Sequence, residues 1–107
     1  MSNIAKSLQV ETITQEVKTN ASTSVPVQLK SSFTPVRSCT VIGNKAMQTV
    51  NVGTVYLGWS SVDGQQPIAV ASGEQKLLQS DNGEAFDLAA IYLDVATAND
   101  GIILIYS

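Results

Sequence analysis

The chain has 107 residues, enough for one core that takes roughly two-thirds of its surface out of water and too few for a second. It carries no histidine, one cysteine and a net charge of −3, so an internal disulfide is excluded and the usual metal ligand and general base are missing. Only 14% of the residues are charged; Ser, Thr, Val, Gln and Asn fill their place, with β-branched residues suited to pleated strands and small polar ones to turns.

No apolar run approaches the roughly 20 residues of a membrane helix, and Met1 to Val10 lacks the hydrophobic core of a signal peptide. The chain is therefore expected to fold in the cytosol with no membrane partner. Its charges are unevenly placed. Lys6, Lys18, Lys30, Arg37 and Lys45 face only Glu11 and Glu16 in residues 1–61, whereas Lys76 stands alone among Asp63, Glu74, Asp81, Glu84, Asp87, Asp94 and Asp100 in residues 62–107. Such a split orients a molecule against a partner or a second copy, and a chance distribution over a mixed surface gives the same count. Scattered cations without interleaved aromatics make no phosphate track, so nucleic acid is not expected as a partner.

In chain order, residues 1–23 differ most from the rest. Ile4, Leu8, Val10, Ile13 and Val17 are apolar groups in an otherwise polar stretch. The spacing suits a short helix, while Val, Thr and Ile favour an extended strand. The segment reads as an N-terminal arm with a short strand and the polar linker Thr19 to Thr23; a first strand of the main domain fits the same residues. From Ser24 to Ser107 alternation is regular. Val25, Val27 and Leu29 share a face in a strand that Pro26 confines to a sheet edge. Phe33 is a candidate plug at the end of the core. Cys39 and Val41 point inward from the strand Val36 to Ile42, Gly43 to Lys45 turns the chain, and Ala46 to Val52 leads with a bend at Gly53 into Thr54 to Ser60, where Val55, Leu57 and Trp59 share the inner face.

Ile68 to Ala71 and Gln75 to Gln79 are short strands, the second closed by an Asn82-Gly83 turn. Ile91, Leu93 and Val95 alternate with Tyr92 and Asp94 after a turn at Asp87. Asn99 to Gly101 turns into Ile102 to Tyr106, apolar on both faces as a strand buried on both sides would be. Seven or eight strands with a turn every 8 to 12 residues predict an all-β, antiparallel, two-sheet, jelly-roll-like sandwich over residues 24–107, preceded by the arm.

No reaction is expected of these residues. Cys39 sits mid-strand, where a small buried side chain is the ordinary reading. Asp81, Glu84 and Asp87 are a carboxylate group of the kind a glycosidase pairs, but they occupy a turn, where such residues cap and solvate. Asp81 to Glu84 and Asn99 to Gly101 carry oxygen ligands suited to calcium if the two loops meet at one end, without the twelve-residue calcium-loop spacing. No cofactor is expected. Trp59 and Tyr56 are candidates for stacking on a sugar; core packing for Trp59 and sheet-surface packing for Tyr56, Tyr92 and Tyr106 are the plainer expectation.

Val55-Tyr56-Leu57-Gly58, Gly64, Pro67-Ile68, Gly73-Glu74, Ile91-Tyr92-Leu93 and Gly101 before an aliphatic strand resemble the small β-sandwich structural proteins of tailed-bacteriophage virions, notably capsid decoration (cement) proteins. The resemblance covers about residues 50–107. It implies a non-enzymatic protein assembled in the bacterial cytoplasm and carried on the capsid surface. The implied partners are the major capsid protein and sister copies grouped as trimers or dimers. On that reading Ile4, Leu8, Val10, Ile13 and Val17 contact the shell or sister subunits. A tail receptor- or glycan-binding module and a tail or connector ring component are the alternatives.

Overall fold

The computed structural model describes residues 12–44 and 50–107. Their strands are β1 (Thr14–Thr19), β2 (Val27–Gln28), β3 (Pro35–Val36), β4 (Ser38–Gly43), β5 (Val55–Gly58), β6 (Ile68–Val70), β7 (Gln75–Gln79), β8 (Phe86–Asp87), β9 (Tyr92–Val95) and β10 (Gly101–Tyr106), with one 3₁₀ turn at Leu88–Ala90. Each strand pairs antiparallel with its mirror image in chain order: β1 with β10, β2 with β9, β3 with β8, β4 with β7 and β5 with β6. The chain is thus one long hairpin folded at the β5–β6 loop. Two further pairings, β10 with β4 and β9 with β5, roll that hairpin into two four-stranded sheets, β1-β10-β4-β7 (sheet 1) and β2-β9-β5-β6 (sheet 2). This is the jelly-roll winding, and the expected all-β antiparallel sandwich is what the chain forms.

Alternation decides which residues fill the space between the sheets. Val55 and Leu57 on β5, Leu93 and Val95 on β9, Cys39 and Val41 on β4, and Ile102 and Leu104 on β10 are all buried in one cluster, as their period of two requires. β10 is central in sheet 1, and Ile103 on its outer face is buried as well. That accounts for a strand apolar on both sides. The strand expected in the leader is the outer strand of this sheet, paired with β10 from Thr14 to Thr19. β2 is an edge strand, in keeping with Pro26.

The ends of the elements depart from expectation. Trp59 is 59% exposed rather than packed with Val55 and Leu57. β5 ends at Gly58, where a Cβ would lie 2.7 Å from Pro67 Cδ and 2.8 Å from Gln66 Cα. The returning loop therefore takes the layer above Gly58, and the indole stands at the mouth of the core instead of its centre. Phe33 is 74% exposed, not a plug. The Thr34 N–H donates to the Asp87 carboxylate at 2.8 Å and Leu88 N–H to Thr34 O at 3.0 Å, and that end is filled by Leu88 and Phe86. Val25 is exposed because β2 covers only Val27 and Gln28. Of the strand expected over Ala46 to Val52, residues 46–49 lie outside the described residues, and residues 50–54 are not in a strand.

The mirrored pairing also recasts the charge split. Every strand of the first half lies beside one of the second, so the two halves interleave in space rather than forming opposed poles.

Candidate partner-binding surfaces

A rolled hairpin has two ends and two open sides, and the side chains treat them differently. One end is sealed by buried Asn and Asp residues that substitute for missing strand partners. Asn51 Nδ2 donates to Gly101 O and Gly101 N–H donates to Asn51 Oδ1, both at 2.8 Å. The Asp100 carboxylate accepts from Val52 N–H at 3.0 Å and Gly53 N–H at 2.8 Å. Asn20 Nδ2 donates to Val25 O and Leu93 O, both at 2.9 Å. Asn20, read from sequence as part of a polar linker, is buried and holds the β1–β2 connection against β9. Nothing in an isolated Asn marks such a role.

The side between edge strands β1 and β2 is closed by charge. Lys30 Nζ donates to both oxygens of Glu16, at 2.8 and 3.0 Å, and the Tyr106 hydroxyl donates to the same carboxylate. The Lys30 and Tyr106 hydrogen bonds, in that order, hold the Glu16 carboxyl below its ordinary range.

Among the described residues no such clasp closes the side between edge strands β6 and β7. There Trp59, Ile68, Leu77, Leu78 and Phe86, with Gln79 and Ser80, line a groove of about 310 Å³. Leu77 is 59% exposed, matching the indole across from it. The turn after β7, which follows the groove residue Ser80, carries Asp81 and Glu84, both exposed.

A third surface is the outer face of sheet 1. The register sets Val17, Ile103 and Ile42 in one cross-strand row and Ile105, Thr40 and Leu77 within the next. The solvent side of an antiparallel sheet is ordinarily polar; here Gln15, Thr19, Ser38, Thr40, Gln75 and Gln79 frame an aliphatic patch of Val17, Ile103, Ile42 and Ile105 over the middle of the sheet, with Leu77 at its β7 edge. Val17 is 39% exposed and belongs to this face, and Ile13, just ahead of β1, is 65% exposed. These are the two residues of the expected partner-binding set that are described; Ile4, Leu8 and Val10 lie outside the described residues.

The candidate chemical sites do not assemble. Asp81–Glu84 follows the C-terminal end of β7, in the row Leu78, Cys39, Tyr106, whereas Asn99–Gly101 opens β10 at the other end of the sheet. The condition for a calcium site, that these two loops meet at one end, is not fulfilled: the strand directions put them at opposite ends. Asp87 is committed to Thr34 N–H and Ala89 N–H, at 2.8 and 2.9 Å. Among the described residues no group of three or more His, Cys, Asp or Glu is placed to hold a metal, and no helix is long and apolar enough to cross a membrane.

Burial pushes the Cys39 thiol up to about 11, against a smaller opposing effect of the Ile105 backbone. Its thiolate is scarce at neutral pH and its sulfur is shielded. Labelling of Cys39 by a thiol reagent is therefore expected to proceed only through unfolding, at a rate that rises with urea in step with loss of the sheet signal. Rapid stoichiometric labelling of the native protein would contradict the burial.

Asp94 is buried on the outer face of sheet 2, opposite Tyr56 in the register. Burial raises its carboxyl above the ordinary range; the Gly64 backbone N–H opposes this, and the neighbouring Asp63 carboxylate adds to it. The folded state thus holds a proton that the unfolded state has released, so stability falls as pH rises from the ordinary carboxylate range through the raised value. Asp94→Asn is expected to be more stable than the parent at pH 7 and to lose that pH dependence, measured by urea unfolding from pH 3.5 to 7.

Comparison with protein-family models, with curated proteins and with solved structures found no match to this chain.

Proposed function

We propose that this protein is a non-enzymatic structural component of a bacteriophage virion, a decoration protein that binds the outer shell and bridges capsomers. The observation that carries the reading is the aliphatic patch of Ile103, Ile42 and Ile105 on the outer face of sheet 1, continued at its edge by Val17 and Ile13. A contiguous apolar face on a small domain is suited to contact with protein rather than water. The jelly-roll winding, frequent in capsid proteins, and the phage-type motifs of residues 50–107 support the same reading. The major capsid protein is the proposed partner, with association between copies, on the capsid surface after assembly in the bacterial cytoplasm.

The test is the thermal rupture of shells. Capsids assembled from the major capsid protein made with this chain are expected to release their contents at a higher temperature when it is added, saturating at a fixed ratio to capsomers. An unchanged rupture temperature would set the reading aside. A glycan-binding tail module is the second reading, favoured by the exposed indole of Trp59 in its groove. Micromolar binding on a glycan array, lost in Trp59→Ala, would select it.

A further inference from the structure

We infer that the groove between β6 and β7 receives the leader segment, residues 1–11, of a second copy of this chain, so that two copies exchange leaders reciprocally. The inference rests on the reading above that the leader contacts sister subunits, and it names the surface and the occupant.

Three observations support this occupant. First, strand direction decides where the leader leaves the sandwich. Thr14 pairs with Tyr106, Tyr106 with Cys39 and Cys39 with Leu78, so the start of β1 lies at the same end of sheet 1 as the groove residues Leu78, Gln79 and Ser80. β1 and β7 are nonetheless opposite edges of that sheet. To reach its own groove the leader must cross the ends of β10 and β4, whereas two copies set end to end each present a groove to the other's leader. An extended segment of 11 residues spans about 36 Å, enough to pass beyond the end of its own sheet into a facing copy; the same span covers the crossing to its own groove, and concentration dependence separates the two.

Second, the chemistry matches. Ile4 and Leu8 are four apart, which puts them on one side of the segment whether it is helical or extended. The groove offers them Trp59, Leu77 and Phe86. Third, the charges are complementary where the apolar groups lie: Lys6, between Ile4 and Leu8, is the cation of the leader, Glu11 stands at the leader's far end beside β1, and the exposed Asp81 and Glu84 follow the groove residue Ser80. Reciprocal exchange gives an isologous dimer, in which each leader–groove contact is made twice.

Trp59 is the only tryptophan, so its fluorescence reports this groove alone. As concentration rises, the purified full-length chain is expected to pass from monomer to dimer in sedimentation equilibrium, with a blue shift of Trp59 emission along the same curve. Ile4→Asp combined with Leu8→Asp should weaken dimerisation about ten-thousandfold, the effect of withdrawing four aliphatic side chains, two from each groove. Trp59→Ala, at an exposed position in the groove, should also weaken the dimer, read by sedimentation alone. A synthetic peptide of residues 1–12 added to the Ile4/Leu8 variant should restore the blue shift without restoring the dimer.

A chain that stays monomeric with unshifted emission overturns the inference. So does a blue shift independent of concentration, which would place the leader in its own groove. An emission that answers to soluble sugars and not to the peptide would assign the groove to a glycan. None of these readouts needs a capsid, so failure here is separable from failure of the shell-binding reading.

Discussion

Replacing Gly101 with alanine is expected to destabilise the fold by about 3 kcal/mol or more, at the upper end of overpacking effects. A Cβ at Gly101 would lie 2.2 Å from Lys18 O and 2.8 Å from Thr19 Cα, both backbone atoms of β1. No rotamer relieves such a contact; β1 itself must move off β10. The same shift would disturb the paired hydrogen bonds between Gly101 and Asn51 that seal this end. Gly43→Ala should behave alike, since its Cβ would lie 2.1 Å from Ala71 O. Gly64→Ala is the control. Gly64 sits at φ +82° with nothing within 4 Å of the added carbon, so only left-handed strain of about 1 kcal/mol is expected. Urea midpoints at unchanged slope measure all three. A Gly101→Ala midpoint within error of the parent would contradict the close approach of β1 and β10.

Leu57→Ala is expected to cost 2–5 kcal/mol in order of magnitude, about what cavity-creating truncations at closed sites cost. Leu57 is fully buried on β5, between Ile68 on β6 and Leu93 on β9 in the register, and β9 is held on its other side by β2. The space left by the side chain is therefore hard to close. Leu77→Ala removes the same atoms from an exposed site and should change stability by less than about 0.5 kcal/mol. On the proposal above, Leu77→Ala weakens self-association while leaving the urea midpoint in place. The two leucines thus separate folding from recognition.

Faces were legible in the sequence and partners were not. Period-two alternation placed Cys39, Val41, Val55, Leu57, Leu93 and Val95 inside, because a strand has only two sides and one of them must exclude water. The mirrored pairing of ten strands left no such trace, since alternation says which side a residue faces and nothing about which strand lies beside it. Gly43 and Gly101 read as turn glycines, yet they are the last residue of β4 and the first of β10, where neighbouring backbone comes too close for any side chain. Trp59 continued the inward pattern by one residue beyond the point where the layers stop. Periodicity carries no information about where a sheet ends, and that residue became the most informative one on the groove. Apolar residues on the outer face of sheet 1 were visible only as a strand apolar on both sides, Ile102 to Tyr106.

The measurement that bears most directly on the account is density-gradient co-sedimentation of the chain with shells of the major capsid protein made with it, comparing the parent with Val17→Asp on the outer face of sheet 1. The parent is expected to travel with the shells at a fixed ratio, and the variant, folded by its circular-dichroism spectrum, to remain near the top. A parent that stays at the top, or a variant that travels with the shells as well as the parent does, would contradict the assignment of that face to shell binding.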